Sequence, residues 1–264
     1  MTDEVGVWLY AVTRATDAAA GIGPITGVAG ERVRTVVSDP LAAFVESVPL
    51  AVFGEQPLHR NLEDLDWLAA TARAHDAVVS ALVRRGPTVP LRLATVFLDD
   101  ERVRELLDAR RADFIASLTL VTGRTEWGVK AYTDRAALTA AVADARAARA
   151  GAEKGRGTAY LVRRRAELSA QATVERDAAE RAEEIHARLV RHSAAGRRQA
   201  ATDPALSGRR DWMVLNGTYL VDDDDAGDFA ATVDELGKEL PGIRLEITGP
   251  WPPYSFAGVD QERI

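Results

Sequence analysis

The stretch from Asp211 to Thr248 restricts the fold more than any other part of the chain. Asp211 to Val221 (DWMVLNGTYLV) is apolar on both faces over a length that suits a strand. Asp222 to Asp225 follow, placing four carboxylates where a helix N-terminus favours negative charge. Phe229, Val233, Leu236 and Leu240 then recur at helical steps, and Pro241-Gly242 stops the helix. Ile243, Leu245 and Ile247 alternate with Arg244, Glu246 and Thr248 in a second strand. Crossovers of this β-α-β kind are nearly always right-handed, with parallel strands.

Upstream, TEWGVKAY at 125–132 alternates Trp127, Val129 and Ala131 against Glu126, Lys130 and Tyr132, a half-buried strand. An alanine-rich helix capped by Asp134 is expected to about Ala150, then a flexible break, GAEKGRG, at 151–157. A long helix is expected over 158–194. Its stripe of Leu161, Leu168, Ala178, Ile185 and Leu189 is thin, which suits packing on one side only. Residues 195–209 read as a basic loop. The C-terminal half is thus a split βαβ, ferredoxin-like unit with a long helical excursion.

In the N-terminal half, Val5 to Val12 (VGVWLYAV) is apolar on both faces and reads as a central strand. The glycine-rich GIGPITGVAG at 21–30 is turn chemistry, because it lacks the spacing of a phosphate-binding loop. ERVRTVVSD and the stretch around Val48 to Phe53 are strand candidates. Asn61 is placed as the N-cap of a six-turn helix along Leu62, Leu65, Leu68, Ala72, Val79 and Leu82, ended by Gly86-Pro87. PTVPLRLATVF at 87–97 reads as a short strand. Asp99 and Asp100 open further helix to about Val121, closed by Gly123. The expectation is an α+β protein of two domains, 1–122 and 123–264, with the N-terminal half a variant of the same theme.

Composition narrows the function. Of 264 residues, 47 % are hydrophobic and 28 % charged, as in an ordinary globular protein. No apolar run reaches the ~20 residues of a membrane span, and Leu41 to Phe53 is interrupted by Glu46, Ser47 and Pro49. Asp3 and Glu4 stand where a signal peptide is basic. The chain has no cysteine, which excludes disulfides, thiolate metal sites and cysteine nucleophiles. A net charge of −7 argues against general nucleic-acid binding. The reading is a protein of the cell interior, with neither membrane nor nucleic acid as partner.

Candidate chemistry is sparse. The histidines are His59, His75, His186 and His192, and none forms a zinc motif. His75, on an apolar stripe, reads as a structural histidine rather than a ligand or base, while His186 and His192 read as solvated. The aspartate run lacks the spaced ligands of a calcium loop. Arg92, between two leucines in PLRLA, admits a structural ion pair or a binding role. No nucleophile elbow, metal site or acid–base pair is evident, so no cofactor is expected. One cluster stands out: Gly249 to Phe256 reads GPWPPYSF, three prolines and three aromatics in eight residues. Such a stiff segment serves as a core cap through Trp251 and Phe256, as an exposed docking strip, or as both.

GPWPPYSF after a β-α-β unit resembles the C-terminal signature of the GvpF/GvpL family of gas vesicle proteins. Other segments agree in order: VWLYAV, HRNLEDLDWLAATARAHDAVVSAL at 59–82, PLRLATVF at 90–97, EWGVKAY at 126–132 and LNGTYLVD at 215–222. The resemblance implies a non-enzymatic accessory or minor structural protein of the gas vesicle, within the cytoplasm. It implies contacts with the small hydrophobic shell protein and other accessory proteins during assembly. Partner-binding candidates are Arg92, Trp251, Pro252, Pro253, Tyr254 and Phe256. The competing class is a haem- or ligand-binding tandem ferredoxin-like protein or enzyme, for which His75 alone is suitably placed.

Overall fold

A computed structural model describes residues 4–19, 21, 23–135, 138–139, 159–200, 211–240 and 242–258, the side chains of 159–171 excepted. The chain divides into two compact units, residues 1–126 with 250–264, and residues 127–249. The expected division at 122/123 assigned the C-terminal tail to the second half; here that tail groups with the first unit.

Unit 1 is built on β1 (Val5–Arg14), which pairs antiparallel with β3 (Leu41–Pro49) along its whole length. β2 (Arg34–Ser38) pairs with the far side of β3. β4 (Val89–Pro90) and β5 (Val96–Phe97) both pair with the other side of β1. The strand order is therefore β2-β3-β1-β4. Helices line both faces. Trp8, Tyr10, Phe44 and Val48 share a cluster with Leu58, Val78, Val79 and Leu82 from α3 (Glu55–Glu63) and α4 (Leu65–Val83). Val7, Leu9, Val36 and Val45 share another with Val103, Leu107, Phe114 and Leu118 from α5 (Asp100–Ala109) and α6 (Arg111–Val121). A sheet covered on both sides needs strands apolar on both faces, which is why VGVWLYAV does not alternate.

Several boundaries differ from the sequence reading. The third strand covers 41–49 rather than 48–53: after Pro49 the chain turns into α2 (Leu50–Phe53), with the Leu50 amide bound to the Glu4 carbonyl. The helix expected from Asn61 is two helices. Asp64 is the N-cap of α4, its Oδ1 accepting from the amides of Asp66 and Trp67 at 2.9 and 3.2 Å. Asn61 sits inside α3 and donates to the Val52 carbonyl. Segment 87–97 is two short strands separated by a turn, with Ala94 at φ +68°. The helix from Asp99 breaks at Arg110 into α5 and α6; Asp99 caps the first, accepting from the Arg102 amide.

Unit 2 holds β6 (Arg124–Thr133), α7 (Ala159–Arg191), β7 (Ala195–Arg198), β8 (Trp212–Asp222), α8 (Ala226–Glu239) and β9 (Ile243–Trp251). Its order is β7-β8-β6-β9, so the crossover from β8 to β9 skips β6 as a split βαβ requires. Val129, Ala131, Leu215, Tyr219, Val221 and Ile243 pack with Ala182, Ile185 and Leu189 of α7 and Phe229, Val233 and Leu236 of α8. The α+β, two-sheet architecture expected from the sequence is present. Residues 195–198, expected in a loop, form the edge strand β7 against β8. The helix expected over 134–150 and the break at 151–157 lie almost entirely outside the described residues.

Candidate functional site

The most deeply placed charged residue described in unit 1 is Glu46, which is fully buried in β3. Its carboxylate accepts from the Tyr10 hydroxyl at 2.5 Å and from the amides of Ala29 and Glu31 at 3.1 and 2.8 Å. The Tyr10 oxygen in turn accepts from the Val28 amide at 2.8 Å. Burial and the Glu46 contact push the Tyr10 phenol up. A β-carbon on Gly27 would lie 2.2 Å from a Glu46 oxygen and 2.3 Å from the Tyr10 hydroxyl, so only glycine fits there. The glycine-rich segment is thus a turn pinned to the sheet by one buried carboxylate.

His75 lies on the same face of the sheet, 3 % exposed. The Trp8 indole N–H donates to its Nδ1 at 3.0 Å, which assigns the proton to Nε2, 3.2 Å from the Leu91 carbonyl. Burial lowers its pKa to about 4, against the raising effect of the Leu91 contact. Tyr10 stacks on the ring at 5.2 Å. With both nitrogens engaged and the ring enclosed, His75 has no lone pair to offer a haem iron. Among the described residues no group of three or more His, Asp or Glu side chains could hold a metal ion. In unit 2, His186 is half-buried rather than solvated, its Nδ1 2.9 Å from the Tyr219 hydroxyl.

The segment GPWPPYSF divides its residues between two tasks. Pro252, Pro253 and Phe256 are buried, Phe256 to 1 % exposure. Tyr254 packs on the α4-side cluster with its ring 6.5 Å from His75, and Ala257 joins the α5–α6 cluster. Burial and the Asp76 charge push the Tyr254 phenol up. The Ser255 amide and hydroxyl donate to the Glu126 carboxylate at 2.8 and 2.7 Å. Segment 252–257 thus bridges the two helical layers of unit 1. Only Trp251, 48 % exposed, presents a large ring to solvent. Arg92 is exposed, and among the described residues it forms no ion pair of the kind that was one of the two roles its position admits.

Two further features carry no motif. An open cleft of about 290 Å³ in unit 1 is lined by Thr13, Asp17, Phe44, Leu82, Arg85 and Thr88. Its threonine hydroxyls already donate to the Pro87 and Gly86 carbonyls. At the end of the sheet where β1 begins, apolar side chains gather. Val5 is 54 %, Val52 37 % and Leu98 66 % exposed. Val5 opposes Pro49, and a β-carbon on Gly6 would meet both the Leu50 side chain and the Phe97 carbonyl. Sequence reading missed this patch because its members come from three separate segments. Glu46 was visible as the lone acid in an apolar run, but the spacing named neither its partners nor its burial.

The family model for gas vesicle synthesis protein GvpL/GvpF matches residues 6–258. Gas vesicle protein L of Streptomyces sp. (strain CB03234) is 42 % identical over 260 residues, covering 97 % of this chain and 94 % of that protein. Gas vesicle protein F of the same strain is 28 % identical, covering 85 % and 87 %. The crystal structure of GvpF from Anabaena sp. PCC7120 superposes with a TM-score of 0.69 over 96 % of each chain, at 16 % identity. That of GvpF from Microcystis aeruginosa gives 0.66, covering 96 % of this chain and 98 % of that one. At such identities the superpositions speak to the fold alone.

Proposed function

The chain belongs to the GvpL/GvpF family of gas vesicle proteins, and from that premise we propose that it is a non-enzymatic assembly protein that binds the main shell protein and other accessory proteins. Membership implies a role in gas vesicle formation. The higher identity to the L protein than to the F protein supports an L-type assignment within the family. Its place of action in this reading is the gas vesicle, within the cytoplasm. No helix among the described residues is long and apolar enough to cross a membrane.

The observation that carries the binding reading is the apolar end of unit 1, where Val5, Val52 and Leu98 are exposed. A small hydrophobic shell subunit outside its wall exposes apolar surface and aggregates. Each Å² of that surface covered by a partner contributes about 25 cal/mol. Trp251 and Arg92 are exposed enough to add contacts, whereas Pro252, Pro253 and Phe256 act through packing. Tyr254, half-buried, belongs mainly with the latter.

Co-purification of the shell protein with tagged full-length chain tests the proposal. Capture and a gain in shell-protein solubility are expected from the unaltered chain. Capture should fall by about tenfold in a Val52→Asp/Leu98→Asp variant, the loss expected when central apolar contacts are removed. If the folded, unaltered chain neither captures nor solubilises the shell protein, the reading fails.

A further inference from the structure

The open cleft of about 290 Å³ in unit 1 gathers its residues from separate parts of the fold. Thr13 lies near the end of β1, Asp17 on the short helix α1 (Ala15–Ala18) and Phe44 on β3. Leu82, Arg85 and Thr88 come from the C-terminal end of α4 and the segment that follows it. Thr13, Phe44, Leu82 and Thr88 are buried and form the floor, whereas Asp17 and Arg85 are exposed and form a rim of both charges. The Thr13 and Thr88 hydroxyls donate to the Pro87 and Gly86 carbonyls at 2.8 and 2.9 Å, so toward any other group they only accept. Asp17 receives one hydrogen bond, from the Thr16 hydroxyl at 3.4 Å. Arg85 gives one, to the Ala81 carbonyl at 3.2 Å, which leaves the rest of its donor fork open. Although they line one cleft, Asp17 and Arg85 form no ion pair with each other or with any other described residue.

We infer that this cleft binds a small zwitterion, a free amino acid with an apolar side chain. The ligand's carboxylate takes the open fork of Arg85, whose planar donors match a carboxylate. Its ammonium takes Asp17 and the threonine oxygens, all of which are acceptors. Its side chain covers Phe44 and Leu82, the apolar part of the floor. A plain anion would bring its charge toward Asp17 and a plain cation toward Arg85, so a ligand with both charges satisfies the rim best. The volume is at the small end of the ~300–1,000 Å³ usual for ligand sites, which suits a molecule of amino-acid size rather than a nucleotide or haem. A bound ligand would also tie α1, in the first crossover of unit 1, to the end of α4 in the second.

The test needs only the full chain, and it is independent of whether the shell protein binds. Titration calorimetry with leucine should show a single site with a dissociation constant of about 1 mM or tighter, a range open to so small a ligand. Leucinamide lacks the carboxylate and 4-methylpentanoate lacks the ammonium. Each should bind about tenfold more weakly, the loss expected for one charge-assisted hydrogen bond. Glycine, which has no side chain to cover the floor, should also bind more weakly. Asp17→Asn should remove the preference for leucine over 4-methylpentanoate, and Arg85→Gln the preference for leucine over leucinamide. Both positions are exposed, so melting without ligand should stay unchanged in each variant. Absence of binding by leucine, valine, methionine and phenylalanine alike overturns the inference. So does leucine binding that neither variant weakens, which would place the ligand elsewhere. Equal binding of leucine and 4-methylpentanoate, or of leucine and leucinamide, overturns the zwitterion by removing one of its two charge contacts.

Discussion

Numbered within each unit, the two sheets have the same order, second-third-first-fourth: β2-β3-β1-β4 in unit 1 and β7-β8-β6-β9 in unit 2. What differs is where helix is placed around that order. In unit 1 the first crossover is a four-residue helix, α1 (Ala15–Ala18), and a glycine-rich loop, while the second carries α2, α3 and α4. In unit 2 the first crossover contains the 33-residue α7, and the second is α8 alone. Unit 1 then adds α5 and α6 after its fourth strand position, and these cover the second face of the sheet. The consequence shows in the central strands. β1 is buried at eight successive positions, whereas among the first seven residues of β6 only Glu126 and Val129 are buried. A sheet order tolerates either arrangement; the number of covered faces decides how continuously a central strand is buried.

Polar anchoring differs in the same sense. Unit 1 ties its loop and tail with buried carboxylates, Glu46 and Glu126. Unit 2 shows exposed or half-exposed pairs such as Arg198 with Glu183, Arg188 with Glu239 and Arg135 with Glu175. Buried acceptors with several donors are costly to remove, while exposed pairs are worth little. Four experiments probe the contrast. Phe256→Ala should cost about 3–5 kcal/mol, the usual loss for a buried aromatic. It should lower only the calorimetric transition of unit 1, and one shared transition lowered as a whole would break the distinction between units.

The His75 ring gives the next largest effect. Its folded pKa, about 4, lies below the ordinary value of 6.5, so the unfolded chain binds the proton more readily between these values. The stability is fully present above pH 6.5 and declines as pH falls toward 4, by about 3 kcal/mol. Denaturant melts of the parent chain and of His75→Phe across that window measure it, and the variant should lose most of the slope. Glu46→Gln should cost roughly 2 kcal/mol, because its amide N–H₂ would face the donors of Ala29, Glu31 or Tyr10. Hydrogen exchange should rise at the Ala29 and Glu31 amides. At the small end, Arg188→Ala in unit 2 should leave the melting temperature unchanged within error, and a clear drop would show that unit 2 relies on its surface pairs.

Much of the fold was legible because it rests on local pattern. VGVWLYAV, DWMVLNGTYLV and the Phe229–Leu236 stripe each identify their element, and the split βαβ follows from their order. Boundaries were less legible where two local signals competed. Asn61 and Asp64 are both good caps, and packing selected Asp64 while committing Asn61 to a carbonyl of α2. PLRLATVF has the composition of one strand, yet a turn at Ala94 sends Leu91 into one core layer and Leu93 into the other. The signature GPWPPYSF was visible as a cluster, but its division into buried Phe256 and exposed Trp251 was not, since stiffness says nothing about which neighbour lies alongside.

By itself, then, the sequence determined the element types, the tandem α+β plan and the family, all properties carried by short runs of residues and their order. The tertiary structure alone decided that residues 250–258 close unit 1, that Glu46 and Glu126 are buried acceptors, and that Val5, Val52 and Leu98 are exposed on segments brought to the end of the sheet where β1 begins. Each of these depends on segments distant in the chain being brought together by burial of apolar surface, and that force is not directional enough to be read from spacing.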